Sequence, residues 1–405
     1  MRLPGKLLLS ILISVLSVPV SFAQYTSVAY YMVAHPDDWQ LFMGVNAFND
    51  IANGANSNNS KVVLIYTTAG EANCNGGPVN EQYYLARQTG ANRSVQFCAD
   101  INGKNEPWSP SVVTIKGLSY HNILRYKYKN TVSYFLRLPD GCLEATHTTL
   151  TKFAHGKMPT LYAVDSSTAY FGYEDLVKTV EKIIQEEGKG ADDITINCPE
   201  WDWTLNPSDH PDHIQTGLLA TRIASKMPCV NLNLFEGYYS SNNPPNLAPE
   251  DIAKESALLA QVSYGCTHYG YSPEWDPTHS GGSHINWTNR NYFRTIITCD
   301  SNVLQNDPGP VAFQDSTTTL NKYTVNVFPN PAHDIINITY EIEDSGMVTM
   351  AVNDYYGRSY GLLLNETKEK GKHTFSYNAA QLRPGNYSLY VKMPQNIQLV
   401  KFVKE

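Results

Sequence analysis

The chain has 405 residues, with 30 Lys and Arg against 38 Asp and Glu and a formal net charge of −8. That acidic balance repels a phosphate backbone and argues against nucleic acid as a partner. Beyond the N-terminus no run approaches the roughly 18 apolar residues of a membrane span, so no integral membrane segment is expected after processing.

In chain order, Arg2 and Lys6 precede an apolar run from Leu7 to Leu16, and Ser21-Phe22-Ala23 follows with small residues. This is the layout of a secretory signal peptide, expected over residues 1–23, with a retained N-terminal anchor as the alternative. Cleavage removes two basic residues and no acidic one, taking the charge from −8 to −10 (28 minus 38). The runs Ser27–Ala34 and Lys61–Thr67 predict buried strands, and Glu81–Ala99 and Glu174–Gly188 carry helical spacing. Asp193–Cys198 predicts a further strand and His213–Ser225 a helix. Strands alternating with helices indicate an α/β domain with a largely parallel sheet and flanking helices, placed at residues 24–302. Cys74, Cys98, Cys142, Cys198, Cys229, Cys266 and Cys299 all fall in this part. In an oxidising compartment some pair, and the odd count leaves at least one free. His268, His279 and His284 lie in a Gly-, Tyr- and Trp-rich stretch that reads as a substrate-facing or solvated loop, a second metal site being the alternative.

Residues 303–322 are rich in Asp, Pro, Gly, Ser and Thr and read as a linker. Short strand-like pieces then recur at Thr324–Val327, Ile335–Tyr340, Val348–Val352, His373–Tyr377, Tyr387–Val391 and Leu399–Val403. Turn residues between them predict a small all-β sandwich domain over residues 323–405.

Two strings carry the chemistry. Ala34-His35-Pro36-Asp37-Asp38 follows the first strand, and His210-Pro211-Asp212-His213 follows Asp193–Cys198. Both lie where an open α/β sheet collects ligands, outside the carboxyl ends of its strands. Imidazole nitrogen and carboxylate oxygen suit zinc, and three protein ligands leave a position for water, whose pKa the ion lowers to about 7. His35 and Asp38 offer two ligands from one turn, with Asp37 beside them to take a proton. His210 and His213, three apart at a helix start, can share a face. One then ligates while the other stabilises charge or protonates a leaving amine. Asp212 can hold an imidazole in the required tautomer. Taken singly, each string also reads as a surface turn with a helix-capping Asp.

The paired strings resemble those of the PIG-L/LmbE-type de-N-acetylases, over roughly residues 27–297. The resemblance implies zinc held by His35, Asp38 and His213, Asp37 as general base, and His210 at the oxyanion or leaving group. It also implies a Rossmann-like fold and removal of acetyl from N-acetylglucosamine-type amino sugars, or cleavage of related amides. Thr67-Thr68-Ala69-Gly70-Glu71, Arg87 and Leu138-Pro139-Asp140-Gly141 add to the likeness, making Glu71, Arg87 and Asp140 candidate substrate-binding residues. Trp203, with Trp201 and Asp209 nearby, is placed in the same pocket, plain loop packing being the alternative. Trp39 and Gly90 stand where the family often has Glu, and Ser208 where some members have Tyr.

In the tail, Val327-Phe328-Pro329-Asn330-Pro331, Asp354-Tyr355-Tyr356-Gly357-Arg358 and Leu382-Arg383-Pro384-Gly385-Asn386-Tyr387 resemble a type IX secretion sorting domain. That implies the type IX machinery as partner and a secreted or cell-surface location in a Bacteroidetes-type bacterium; a glycan-binding sandwich is the alternative. The expectation is a secreted, Zn2+-dependent (or other divalent-cation-dependent) deacetylase of N-acetylated amino sugars. The rivals are a metal amidase for a non-sugar amide and a carbohydrate-binding protein with a decayed site.

Overall fold

The computed structural model describes residues 25–57, 59–71, 81–103, 105–140, 148–274, 284, 286–298, 325–354, 359–394 and 396–405. The expected signal peptide and linker lie outside the described residues, as do Gly141, His279 and the cysteines at 74, 142 and 299. The N-terminal part runs β1 (Ser27–Val33), α1 (Asp38–Phe42), α2 (Gly44–Ser57), β2 (Ser60–Thr68) and α3 (Glu81–Asp100). Next come β3 (Ser109–Lys116), β4 (Tyr120–Tyr128), β5 (Thr131–Leu138), α4 (Thr149–Ala154), β6 (Thr160–Tyr162), β7 (Ala169–Phe171) and α5 (Tyr173–Glu187). It closes with β8 (Asp193–Pro199), α6 (Pro211–Ala224), β9 (Asn231–Phe235), a 3-10 turn (Tyr238–Asn242), α7 (Pro249–His268) and β10 (Phe293–Ile297).

Eight of these strands form one sheet in the order β10-β9-β8-β1-β2-β5-β4-β3. The central run from β9 to β5 is parallel, whereas β10, β4 and β3 join antiparallel. The sheet is therefore mixed, not largely parallel throughout. The reason is local: β3, β4 and β5 follow one another through short turns, which join only antiparallel neighbours.

Side chains of β1 alternate between two cores, as strand pleating requires. Val28, Tyr30 and Met32 pack with Leu176, Val180 and Ile183 of α5 and Leu219 and Ile223 of α6. Ala29, Tyr31 and Val33 pack on the other face with Ile51 of α2, Val95 of α3 and Leu258 of α7. Helices thus cover both faces, which explains why β1 reads as a continuous apolar run. On α5 the buried residues Leu176, Val177, Val180, Ile183 and Ile184 follow helical spacing, and Gly188 ends the helix. Each such side chain contributes roughly 1.5–3 kcal/mol on burial.

The C-terminal part holds β11 (Asn326–Phe328), β12 (Ile335–Ile342), β13 (Gly346–Asp354), β14 (Ser359–Lys368), β15 (Gly371–Asn378), β16 (Gly385–Met393) and β17 (Asn396–Lys404). They form a three-stranded sheet, β11-β12-β15, and a four-stranded one, β14-β13-β16-β17. Ile336 and Ile338 of the first share a core with Val348, Met350, Leu389 and Phe402 of the second. Among the described residues no helix is long and apolar enough to cross a membrane. Cys98, Cys198 and Cys266 are free and buried, and Cys229 is disulfide-bonded.

Candidate metal centre

The chain leaves β1 for β2 on one side and later returns through β8 on the other. The crevice at the carboxyl ends of β1 and β8 is therefore a topological switch point, the usual ligand position in such sheets. His35 to Asp38 form the turn from β1 into α1, and His210 to His213 open α6 beyond β8.

Three atoms face one another there. His35 Nδ1 lies 3.2 Å from Asp38 Oδ1 and 3.1 Å from His213 Nε2, and His213 Nε2 lies 3.1 Å from Asp38 Oδ1. Tetrahedral ligands at about 2.0–2.1 Å from an ion stand about 3.3 Å apart, close to this triangle. The outer atoms of the same groups face polar neighbours. His213 Nδ1 donates to Asp209 Oδ1 at 2.8 Å, leaving Nε2 as the lone-pair nitrogen. His35 Nε2 faces Asp140 Oδ1 at 3.4 Å and Asp212 Oδ2 at 3.8 Å, leaving Nδ1 free to ligate. The His35 backbone N–H donates to Asp38 Oδ2 at 2.6 Å, so Asp38 offers one oxygen. Two lone pairs and a carboxylate oxygen converging in a buried site is the donor set of a divalent cation.

Electrostatics agree. Burial works to lower the pKa of His213, but Asp209 and Asp38 outweigh it and push it up to about 10. His35 is likewise raised, burial being overcome by Asp38 and Asp140. Burial disfavours ionised Asp38, yet His213 and His35 hold it well below the usual carboxylate range. The site attracts positive charge.

His210 also lies within reach of His35 and His213, and a second overlapping group joins His35, Asp140, His210 and Asp212. His210 plays a different part. Its Nδ1 accepts the Asp212 backbone N–H at 3.2 Å, capping α6 just before Pro211. Its Nε2 faces Asp140 Oδ1 at 3.6 Å. With His35 and His213, His210 also forms a group able to hold a metal ion.

Asp37 is buried and paired with the Arg87 guanidinium through Nη2. Burial tends to raise its pKa, but Arg87 first, then His284 and His35, hold it below the ordinary value. Arg87 Nη1 donates to Gly70 O at 2.7 Å. Gly70 has φ +62°, and a Cβ there would lie 2.4 Å from Arg87 Nη1, so glycine is required. Glu71, fully buried, accepts the Asp140 N–H at 2.8 Å; burial and then Asp140 push its pKa up to about 8.

Nine candidates, His35, Asp37, Asp38, Glu71, Arg87, Asp140, His210, Asp212 and His213, are buried, and the contacts above link them at the ends of β1, β2, β5 and β8. Trp203 is half-buried in the turn 202–205. Trp39 is fully buried and donates to Tyr66 OH at 2.9 Å, making it a core residue. His268 stacks on Tyr264 at the end of α7. Sequence reasoning left Asp209 between pocket and packing; its spacing four before His213 was the available signal. It missed Glu274, which sits 3.4 Å from Arg87 Nε and accepts Tyr83 OH at 2.8 Å, and which with Asp37 and His284 forms a third group. It also missed the aromatic wall beside His213, made by Phe42 at 5.8 Å and Tyr238 at 5.1 Å between ring centroids.

Residues 326–405 match the secretion system C-terminal sorting domain family. The tail is a type IX sorting domain, and it directs the protein to the cell surface or outside in Bacteroidetes. No curated protein matches the chain. Among solved structures, PorZ of Porphyromonas gingivalis, a bacterial surface component of the type-IX secretion system, is 20% identical over 20% of this chain and 11% of PorZ, with a TM-score of 0.16. The endo-beta-1,4-mannanase from Thermotoga petrophila is 10% identical over 92% of this chain and 73% of the mannanase, with a TM-score of 0.15. Overlaps this poor carry no argument about fold or activity.

Proposed function

We propose that the exported protein is a zinc-dependent hydrolase that removes acetyl from N-acetylated amino sugars. The reading takes the eight-stranded sheet as Rossmann-like, the tail sheets as a β sandwich, and residues 27–297 as related to the PIG-L/LmbE-type de-N-acetylases. The observation that carries it is the triangle of His35 Nδ1, Asp38 Oδ1 and His213 Nε2, flanked by a carboxylate and an N–H donor.

His35, Asp38 and His213 would hold the ion, which when bound polarises an amide carbonyl and makes a water more acidic. Asp37 stays ionised because Arg87 is paired with it, so it can accept the proton of the attacking water. The water oxygen adds to the acetyl carbon while His210 Nε2–H donates to the oxygen that gains charge. As the C–N bond breaks, Asp37 returns the proton to the departing nitrogen, giving acetate and a free amine. Asp140 and Asp212, facing His35 Nε2, keep that ring oriented throughout.

The test is acetate release from N-acetylglucosamine oligomers by the purified chain carrying one zinc, with loss on chelation and recovery on re-addition. Zinc binding without release from any acetylated sugar would point to a non-sugar amide. No zinc binding at all would leave a carbohydrate-binding module.

A further inference from the structure

Arg87 is held at each end of its guanidinium. Nη1 donates to the Gly70 carbonyl, Nη2 is paired with Asp37, and Nε faces Glu274 Oε1 at 3.4 Å. The first two partners come from the turns after β2 and β1, on the sheet that carries the site. Glu274 comes from beyond α7, far along the chain, and is itself fixed by the Tyr83 hydroxyl at 2.8 Å. Tyr83 lies one helical turn before Arg87 on α3, and its ring approaches the guanidinium carbon to 5.8 Å.

The approach of α7 to α3 that brings Glu274 there depends on two glycines. A Cβ on Gly265 would lie 2.4 Å from the Ala86 carbonyl, and one on Gly90 would lie 2.7 Å from Val262 Cα. Ala86 immediately precedes Arg87. The helices therefore approach closely where the guanidinium is anchored.

We propose that Glu274 is a positioning residue for the reaction: with Tyr83 it clamps Arg87 from the α7 side, and Arg87 in turn fixes the Asp37 carboxylate at the crevice. This rests on the reading of Asp37 as the group that handles the proton. A carboxylate free to swing by even 1 Å loses much of the advantage of pre-set geometry, on the order of 100-fold in rate. Glu274 stands beside Asp37 and His284 in a group separate from the one that holds His35 and His213, so its removal should act on turnover and not on metal loading.

The experiment uses the full zinc-loaded chain and two variants. Glu274→Ala should lower kcat at least tenfold with KM and zinc stoichiometry unchanged. Glu274→Gln, whose amide oxygen can still accept the Tyr83 hydroxyl and stand beside Arg87 Nε, should keep at least a third of the activity. A second readout does not depend on turnover. With 15N-arginine labelling, the Arg87 Nε–H resonance, assigned by its loss in Arg87→Lys, should exchange with solvent at least tenfold faster in Glu274→Ala. Unchanged exchange, or kcat within twofold of the parent in folded, zinc-replete Glu274→Ala, overturns the clamp. Faster exchange in a protein whose parent releases no acetate upholds the clamp and overturns the deacetylase reading alone.

Discussion

Asp209→Asn tests how the centre is held together. Asp209 Oδ1 takes His213 Nδ1 at 2.8 Å, His210 N at 2.9 Å and Tyr238 N at 3.3 Å, while Oδ2 takes Asn206 Nδ2 at 2.6 Å. Asparagine has nearly the same shape but must place an NH2 at one of those two positions. Either way a donor meets a donor. Asn206 cannot simply flip, because its Oδ1 accepts Gly237 N at 3.2 Å and its Nδ2 also reaches Glu200 O at 3.0 Å. Nor can the loop ease away: a Cβ on Gly237 would lie 2.3 Å from Asp209 Oδ2, a measure of how closely the backbone wraps this carboxylate. His213 thus loses both a negative partner and its fixed tautomer. Partners of this kind are worth 10–100-fold in metal affinity, about 1.4–2.7 kcal/mol. Zinc affinity would be measured by competition with a chromophoric chelator. Asp202→Asn serves as the control, since its carboxylate accepts Thr204 N in the same loop and makes no hydrogen bond to His213. An affinity within twofold of the parent for folded Asp209→Asn would show that His213 is not the ligand that Asp209 orients.

Other expectations follow from the same contacts. Asp37→Ala should retain zinc and lose at least 100-fold in turnover, whereas His213→Ala should lose both; normal turnover in Asp37→Ala would remove it as the base. Glu255 on α7 is fully buried, and neither carboxyl oxygen has a hydrogen-bond partner among the described residues. Burial, aided by Asp251, pushes its pKa from 4.5 up to about 9. The folded state therefore binds the proton more tightly, and stability falls as pH rises between those values, by at most about 1.4 kcal/mol per unit. Glu255→Gln should melt higher than the parent by a margin that widens from pH 5 to pH 8; an equal margin at both would contradict the buried acid. Deleting residues 326–405 should keep the protein from the cell surface and medium, read by fractionating the producing cells.

The elements that frame the site were legible because their patterns are local. β1 and β2 are apolar runs, α5 repeats at helical spacing, and His210-Pro211 announces the start of α6. β4 escaped notice because Arg125 and Lys127 interrupt its apolar residues, and with it went the antiparallel margin of the sheet. α7 is 20 residues long yet weakly patterned, since its close contact with α3 uses Gly265 rather than a large apolar side chain. The ligand candidates could be named from their chemistry and spacing. Glu274 could not, because nothing near it in sequence ties it to a guanidinium 187 positions earlier (274 minus 87).

The two halves of the donor triangle are separated by 178 positions between His35 and His213. In an unfolded chain the His35–Asp38 and His210–His213 pairs lie far apart, and either pair alone offers too few groups to retain an ion against competing chelators. On the proposed metal-dependent reading, capture follows tertiary assembly, and ion content per molecule would report the fraction of a preparation that has reached its native shape. Any stretch of its route on which the protein is not yet folded will be travelled empty-handed.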